Sequence, residues 1–244
     1  MDDLTEAVGT WCSLSDPAVV ELAAGGDIDF VVVDTEHTPM GLETVADCLR
    51  AAAGDCPAVA RVPWNDPVRI KRLLDLGPEG LLVPMVDTAA EAREAVAATR
   101  YPPTGVRGIA AARAADYGRS FERYVESTHR ELTVAVQVES ERAVDNAADI
   151  AAVNGVDALF VGPADLSAAL GCFGDHDAAA FRAAVETVLA AGAGADVPVG
   201  TLGTTPAELR SLGELGFDFL VAGADFAHFI EGQRRAVGAA ADVL

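Results

Sequence analysis

Lysine is almost missing from this chain. Lys71 stands alone against sixteen arginines. Cysteine is scarce and unpaired: Cys12, Cys48, Cys56 and Cys172 form no Cys-x-x-Cys pair. They read as small apolar fillers, and no disulfide framework is implied. Long apolar runs are missing too. Each is soon broken by glycine or a charge, which excludes a bilayer-spanning segment and a membrane partner. Positive charge is in deficit throughout. A formal charge of −21 argues against nucleic acid as a main partner, because the phosphate backbone calls for the opposite sign. Met1-Asp2-Asp3 lacks the basic and apolar regions of a signal peptide. A soluble, cytoplasmic protein is expected.

What the chain does have is apolar residues in a regular beat. It is 51% hydrophobic over 244 residues, enough for a substantial core. Short β-branched runs alternate with longer amphipathic ones. Strands are expected at Gly9–Ser13, Phe30–His37, Ala58–Val62, Gly80–Val86, Thr133–Glu139, Ala158–Val161, Pro198–Leu202 and Phe217–Ala222. Each is bounded by Gly, Pro or a charge. Helices fill the gaps. Asp16-Pro17 and Asp66-Pro67 supply a capping acid followed by proline at the first helical position. Thr88 and Glu91 are spaced as a capping box, and Ser140–Val153 reads as one continuous helix. Eight such pairs predict an α/β protein, a single (β/α)8 TIM barrel over residues 1–244. One segment, about 101–131, is too long for an ordinary helix-to-strand connection. It reads as an insertion with its own short helix near Tyr117–Glu126.

A barrel puts its chemistry at the C-terminal ends of several strands. In Thr133-Val-Ala-Val-Gln-Val-Glu139 the valines share one face. Gln137 and Glu139 share the other, pointing into the barrel at its mouth. A buried carboxylate there must be protonated, paired or metal-bound. Arg61, at the end of an apolar strand, needs an anionic partner, either an interior carboxylate or a substrate. Asp34-Thr-Glu-His37 sets a histidine among carboxylates, the usual make-up of a general acid/base. His129, His176 and His228 lack such neighbours and read as surface or structural residues. Asp165 follows the sixth strand in Phe160-Val-Gly-Pro-Ala-Asp-Leu-Ser167. It caps a turn there, or joins Glu139 to hold a hard divalent ion such as Mg2+ or Mn2+. N–H groups of the turn Gly162-Pro163-Ala164-Asp165, to which the proline contributes shape and no donor, suit a substrate carboxylate. Asp225, after the eighth strand, would repel phosphate. Lys71 lies mid-helix on the outside of the barrel. Schiff-base chemistry is thereby excluded, and any carbanion would need a metal as its electron sink.

Six motifs stand in order: Asp34-Thr-Glu-His37, Arg61-Val-Pro63, Val83-Pro-Met-Val86, Arg100-Tyr-Pro-Pro-Thr-Gly-Val-Arg-Gly108, Gln137-Val-Glu139 and Gly162-Pro-Ala-Asp-Leu-Ser167. Together they resemble the HpcH/HpaI family of metal-dependent (class II) pyruvate aldolases, from Gly9 to Asp225. The resemblance implies Glu139 and Asp165 as metal ligands, with Mg2+, Mn2+ or Co2+ as the ion. It implies Arg61 on the pyruvate oxygen, His37 as acid/base with Asp34 as its dyad partner, Gln137 near the metal, and Trp11 lining the pocket. The substrate would be a 4-hydroxy-2-oxo acid, such as 4-hydroxy-2-oxoheptanedioate or a 2-keto-3-deoxy sugar acid. The products would be pyruvate and a small aldehyde. The resemblance further implies a homo-oligomer, trimer or hexamer, with the last helix exchanged between subunits, and places the insertion near the mouth or a subunit contact. Two other readings stay open. An acyl-CoA lyase of the citrate-lyase-β kind would want basic residues for the CoA phosphates, which this chain barely offers. A catalytically silent barrel would have lost the polar residues just named.

The acidic, lysine-poor composition implies a surface adapted to high salt. Thirty-eight acids against seventeen bases repel one another, and salt screens that repulsion. The thermal midpoint is therefore expected to rise as KCl goes from dilute buffer to molar concentration. A midpoint already at its plateau in dilute buffer would count against halophilic adaptation.

Overall fold

Eight parallel strands close on themselves in strict chain order. They are β1 (Val8–Cys12), β2 (Phe30–Asp34), β3 (Ala58–Arg61), β4 (Gly80–Val83), β5 (Thr133–Val138), β6 (Ala158–Val161), β7 (Val199–Gly203) and β8 (Phe219–Ala224). The computed structural model describes residues 4–54 and 56–244, with the His129 side chain also outside the description. Met1-Asp2-Asp3 likewise lies outside the described residues. The helices are α1 (Pro17–Ala24), α2 (Leu42–Ala52), α3 (Pro67–Leu74), α4 (Ala89–Thr99), α5 (Phe121–Glu131), α6 (Glu141–Asp145), α7 (Ala147–Ala151), α8 (Pro163–Ala169), α9 (Ala179–Ala195), α10 (Pro206–Gly213) and α11 (Asp225–Ala241). This is the expected (β/α)8 barrel.

Alternation along each strand separates two apolar layers. Val31, Val33, Val134, Val136, Val138 and Leu159 pack outward under the helices. Phe30, Val32, Val59, Leu82, Ala135, Phe160, Phe219 and Val221 fill the barrel. Three phenylalanines and Trp11 stack through that interior: Trp11–Phe160 at 6.1 Å, Phe160–Phe219 at 6.3 Å and Phe30–Phe219 at 6.2 Å between ring centroids. Gly9 and Gly200 supply the missing side chains against which the Phe30 and Phe219 rings lie. The barrel is thus plugged by rings below its mouth.

Local signals behave mostly as expected. Asp16 caps α1 at Ala18 N, and Asp66 caps α3 at Val68 N and Arg69 N. Two expectations fail for side-chain reasons. Thr88 accepts from Glu91 N, but the Glu91 carboxylate accepts from Asp87 N at 2.8 Å, one residue early, so the capping box is half made. The helix expected over Ser140–Val153 breaks into α6 and α7 at Asn146. The Asn146 amide donates to Asp87 O and to Arg142 O, both at 2.9 Å. Such competition with the backbone is typical of asparagine. His228 sits between Ala222 O, at 3.1 Å, and Thr10, and His176 packs on Phe181 at 4.9 Å. Both are structural.

The insertion lies at the N-terminal face, so of its two expected places, near the mouth or at a subunit contact, the mouth is excluded. A helix-to-strand connection returns the chain to the start of the next strand, so its excursions collect there. Ala114 N donates to Asp75 O, and Arg113 donates to Leu76 O, both just ahead of β4. Arg107 anchors the segment. It is buried, stacks on Tyr101 at 4.7 Å and Tyr124 at 5.5 Å, and pairs with Asp75 at 3.2 Å. Lys71 lies in α3 with Gly108 against its side chain, on the outer ring as expected.

The same face carries a fourfold pattern of acids. Asp29, Glu79, Asp157 and Asp218 each precede an even-numbered strand. Their carboxylates accept from Val8 N, Ala58 N, Val134 N and Val199 N at 2.8, 3.0, 2.8 and 2.8 Å. Each acid's own N–H returns a bond to the carbonyl of the same residue, at 2.8, 2.9, 2.8 and 2.8 Å. Every odd strand is thereby clamped at its start, which fixes register in a sheet where a one-residue slip would turn the core face outward. Asp218→Ala is expected to lower the unfolding free energy by about 1 kcal/mol, the worth of one such bond. Asp218→Asn, which keeps an acceptor, is expected to lose less. Urea denaturation measures both, and equal midpoints for all three proteins would remove the clamp.

Candidate active site

The inward face of each strand, followed to its C-terminal end, delivers the polar residues. On β2 the series Phe30, Val32 ends at Asp34. On β3 Val59 is followed by Arg61. The sheet register sets Asp34 beside Arg61. Both are buried. Arg61 Nε donates to Asp34 Oδ1 and Nη2 to Oδ2, both at 2.8 Å. Burial opposes the charge on Asp34. The bonds and charge of Arg61 outweigh it, with the backbone N–H groups of Glu36 and His37, and hold the acid below its ordinary range. Trp11 supports the pair from within the barrel. It is 5% exposed, and the Arg61 guanidinium lies 4.6 Å from its ring centroid, within cation–π reach. Trp11 thus meets the site through Arg61.

Glu139, one residue past β5, has no such cation bonded to it. Oε1 accepts from Met85 N at 2.7 Å and Oε2 from Gln137 Nε2 at 2.8 Å. It is 5% exposed. Burial pushes its carboxyl up to about 7, the Met85 N–H works against the rise, and Asp165 and Glu36 add to it. Two backbone features make room. Met85 adopts a left-handed conformation, φ 54°, uncommon for a residue with a side chain, which accompanies the N–H bond to Glu139. A β-carbon at Gly162 would stand 2.5 Å from Glu139 Oε2. Gln137 Oε1 is buried without a partner.

Asp165 lies in the first turn of α8, whose N-cap is Gly162, and its side chain caps nothing. The turn-capping alternative therefore falls away. The charge of Asp165 is felt by both Glu139 and Glu36. His37 stands at the rim with its side chain 68% exposed. Its expected imidazole partner, Asp34, is engaged with Arg61. The carboxylate within ion-pair distance of His37 Nε2, among the described residues, is Glu36 Oε1 at 3.8 Å. The Asp34 carboxylate meets His37 through the backbone N–H. Sequence reasoning brought His37, Asp34, Arg61, Gln137, Glu139, Gly162 and Asp165 to one mouth. It did not single out Glu36 or the Met85 backbone. Glu36 was visible in the Asp34–His37 cluster, whereas nothing in a side-chain pattern reports a rotated peptide.

Residues 7–232 match the family model for HpcH/HpaI aldolase/citrate lyase. The chain belongs to that family. It is 38% identical to the 5-keto-4-deoxy-D-glucarate aldolase of Klebsiella pneumoniae over 223 residues, 91% of this chain and 87% of the relative. Its identity to the enzyme of the same name from Escherichia coli is 39% over the same spans. Among solved structures, an HpcH/HpaI aldolase/citrate lyase family protein from Burkholderia cenocepacia superposes with a TM-score of 0.93 at 38% identity, covering 98% of this chain and 96% of that one. An HpcH/HpaI aldolase from Desulfitobacterium hafniense gives 0.87 at 28% identity, covering 96% and 92%. The chain is accordingly an aldolase-type carbon–carbon lyase of the HpcH/HpaI family.

The raised Glu139 has a consequence for folding. Its folded value of about 7 lies above the ordinary 4.5, so the folded protein holds this proton more tightly than the unfolded chain. The contribution is neutral well below 4.5 and turns against the fold as pH rises towards 7. In metal-free buffer at about pH 8, Glu139→Gln is expected to stabilise the protein by on the order of 1–3 kcal/mol. Near pH 4 the difference should shrink towards zero. Thermal unfolding across that range in chelator reads it out, and a constant offset between the two proteins would contradict the raised value.

Proposed function

We propose that this HpcH/HpaI family member is a divalent-metal-dependent aldolase. It reversibly cleaves a 4-hydroxy-2-oxo acid, of the 2-keto-3-deoxy sugar-acid kind, to pyruvate and a small aldehyde. The observation that carries the reading is Glu139: a buried, uncompensated carboxylate beside Asp165, facing the Arg61 guanidinium across one mouth. The donor set fits a hard cation. Glu139 and Asp165 would offer oxygen ligands, and among the described residues no group of three or more His, Cys, Asp or Glu side chains is placed to hold a metal ion. Other coordination positions are thereby left for water and substrate oxygens, as suits Mg2+ or Mn2+, with Co2+ also compatible. The buried, unpartnered Gln137 Oε1 is an acceptor for a water held there. When bound, the ion supplies Lewis-acid polarisation of the 2-oxo group.

The chain's own residues do the rest. Arg61 keeps N–H groups free after its bonds to Asp34, since a guanidinium carries five. These donate to the 2-oxo oxygen and hold the negative charge that develops as the carbon–carbon bond breaks, the kind of preorganised stabilisation that dominates many enzymes. Asp34 fixes Arg61 for that task. Backbone N–H groups around Gly162, Ala164 and Asp165 receive the substrate carboxylate, with Pro163 setting the turn. His37 takes the proton from the C4 hydroxyl in cleavage and returns it in synthesis, and solvent water at the mouth gives the released enolate the proton that completes the pyruvate methyl group. Substrate identity follows the relatives named for 5-keto-4-deoxy-D-glucarate. We further propose a cytoplasmic homo-oligomer, trimer or hexamer. Helix α11 buries none of its residues, and Phe226, Phe229, Ile230 and Val237 are exposed along it, which suits exchange of this helix between subunits. Among the described residues no helix is long and apolar enough to cross a membrane.

Purified enzyme is expected to cleave a 2-keto-3-deoxy sugar acid to pyruvate, to lose that activity in EDTA and to regain it with Mg2+ or Mn2+. His37→Ala and Glu139→Ala should each reduce cleavage at least ~100-fold. Retention of full cleavage by both variants would sink the assignment. Cleavage of acyl-CoA substrates in place of the sugar acid would favour the citrate-lyase-like reading.

A further inference from the structure

The third acid at the mouth, Glu36, belongs to neither the proposed metal set nor the Asp34–Arg61 pair. It lies between two groups that the proposed reaction must hold in register. Glu36 Oε2 is 2.9 Å from Arg61 Nη1, and Oε1 is 3.8 Å from His37 Nε2. The first contact is ionic without hydrogen-bond alignment, since Oε2 is a buried atom with no hydrogen-bond partner. The side chain is only 14% exposed, against 68% for His37. The acid is therefore fixed at the wall while the imidazole it faces reaches into solvent. Asp34 cannot take this place. Its Oδ1 already accepts from Arg61 Nε and from Glu36 N, and its Oδ2 from Arg61 Nη2.

We infer that Glu36 is a positioning residue that ties His37 to Arg61. It sets the spacing between the imidazole that moves the C4 hydroxyl proton and the guanidinium that holds the 2-oxo oxygen. The inference rests on the aldolase reading above. The arrangement follows from chain geometry: Asp34 ends β2 on the inward face, and the residues after it turn along the mouth. Glu36 thereby reaches the outer edge of Arg61 while its neighbour His37 stands at the rim. Two N–H groups of Arg61, on Nε and Nη2, are directed at Asp34, while Nη1 meets Glu36 by charge and proximity alone. Loss of Glu36 leaves the Asp34 bonds intact, so it should loosen His37 far more than Arg61.

Two reactions separate these roles. Exchange of pyruvate methyl protons with solvent deuterium needs the 2-oxo oxygen held but no proton at a C4 hydroxyl. Cleavage needs both. In the metal-loaded full chain, Glu36→Gln is expected to lower kcat for cleavage by on the order of 10- to 100-fold, the cost of a misplaced group. KM and pyruvate exchange should stay within about threefold of wild type. Glu36→Asp, which keeps the charge on a shorter arm, should recover part of the lost kcat. An equal fall in exchange and cleavage would overturn the inference, because Glu36 would then act through Arg61 alone. Unchanged cleavage in Glu36→Gln would overturn it as well while leaving the aldolase reading intact. A wild-type enzyme with neither reaction would overturn both.

Discussion

A guanidinium buried in a barrel must have its charge met on the spot, because an unpaired ion in a low-dielectric interior is too costly to keep. Asp34 meets Arg61 with two parallel bonds of 2.8 Å, and the sheet register makes the two residues lateral neighbours. Such a fork fixes direction as well as charge. The Trp11 ring beneath, itself stacked on Phe160, prevents the side chain from sinking into the barrel. The donors left over on Arg61 are the ones that the proposed reaction uses. Glu139, Glu36 and the proposed substrate position all take their meaning from where that guanidinium stands.

Carboxylates serve opposite purposes at the two ends of the barrel. At the N-terminal face Asp29, Glu79, Asp157 and Asp218 are each matched by a backbone N–H of an odd strand. Those acids are spent on register. At the C-terminal face Glu36, Glu139 and Asp165 crowd one another, and burial and mutual repulsion raise Glu36 and Glu139. Arg61 relieves both in part, with the Met85 N–H helping at Glu139 and His37 at Glu36. Such a face is held together at a cost to stability, as active sites commonly are. A bound cation is the natural relief. The rigid register at the far end and the ring-filled interior let a barrel tolerate that strain at its mouth.

Much of this was legible in residue order. The two-residue period of β5 put Gln137 and Glu139 inward, and the end of β3 put Arg61 with them. Where the sequence misled, a side chain had several partners to choose from. Asp34 lies three residues from His37 along the chain but one strand from Arg61 across the sheet, and the buried cation wins because its desolvation is the larger debt. Asn146 breaks a helix that its neighbours favour, because Asp87 O is within its reach. The Met85 peptide turns to face Glu139 without any mark in composition. The insertion's place at the N-terminal face follows from connectivity, which rules out the mouth, one of the two places that the resemblance implied.

Depth divides the proposed reaction. Arg61, Asp34, Gln137 and Glu139 are all buried, with the most exposed of them at 7%, so whatever they hold is held in a dry, fixed geometry. His37 is 68% exposed, and the hydroxyl it would serve lies on the aldehyde half of the substrate. A dry inner half recognises one small fragment through charge and fixed donors, where each interaction is strengthened by the absence of water. A wet outer half contacts its fragment through few and mobile groups and discriminates poorly, because solvent supplies any bond the protein does not. On the proposed reading the pyruvate end is therefore written into the strands, while the aldehyde end is left to the rim. Motifs at strand ends speak clearly about the first and say little about the second for the same physical reason.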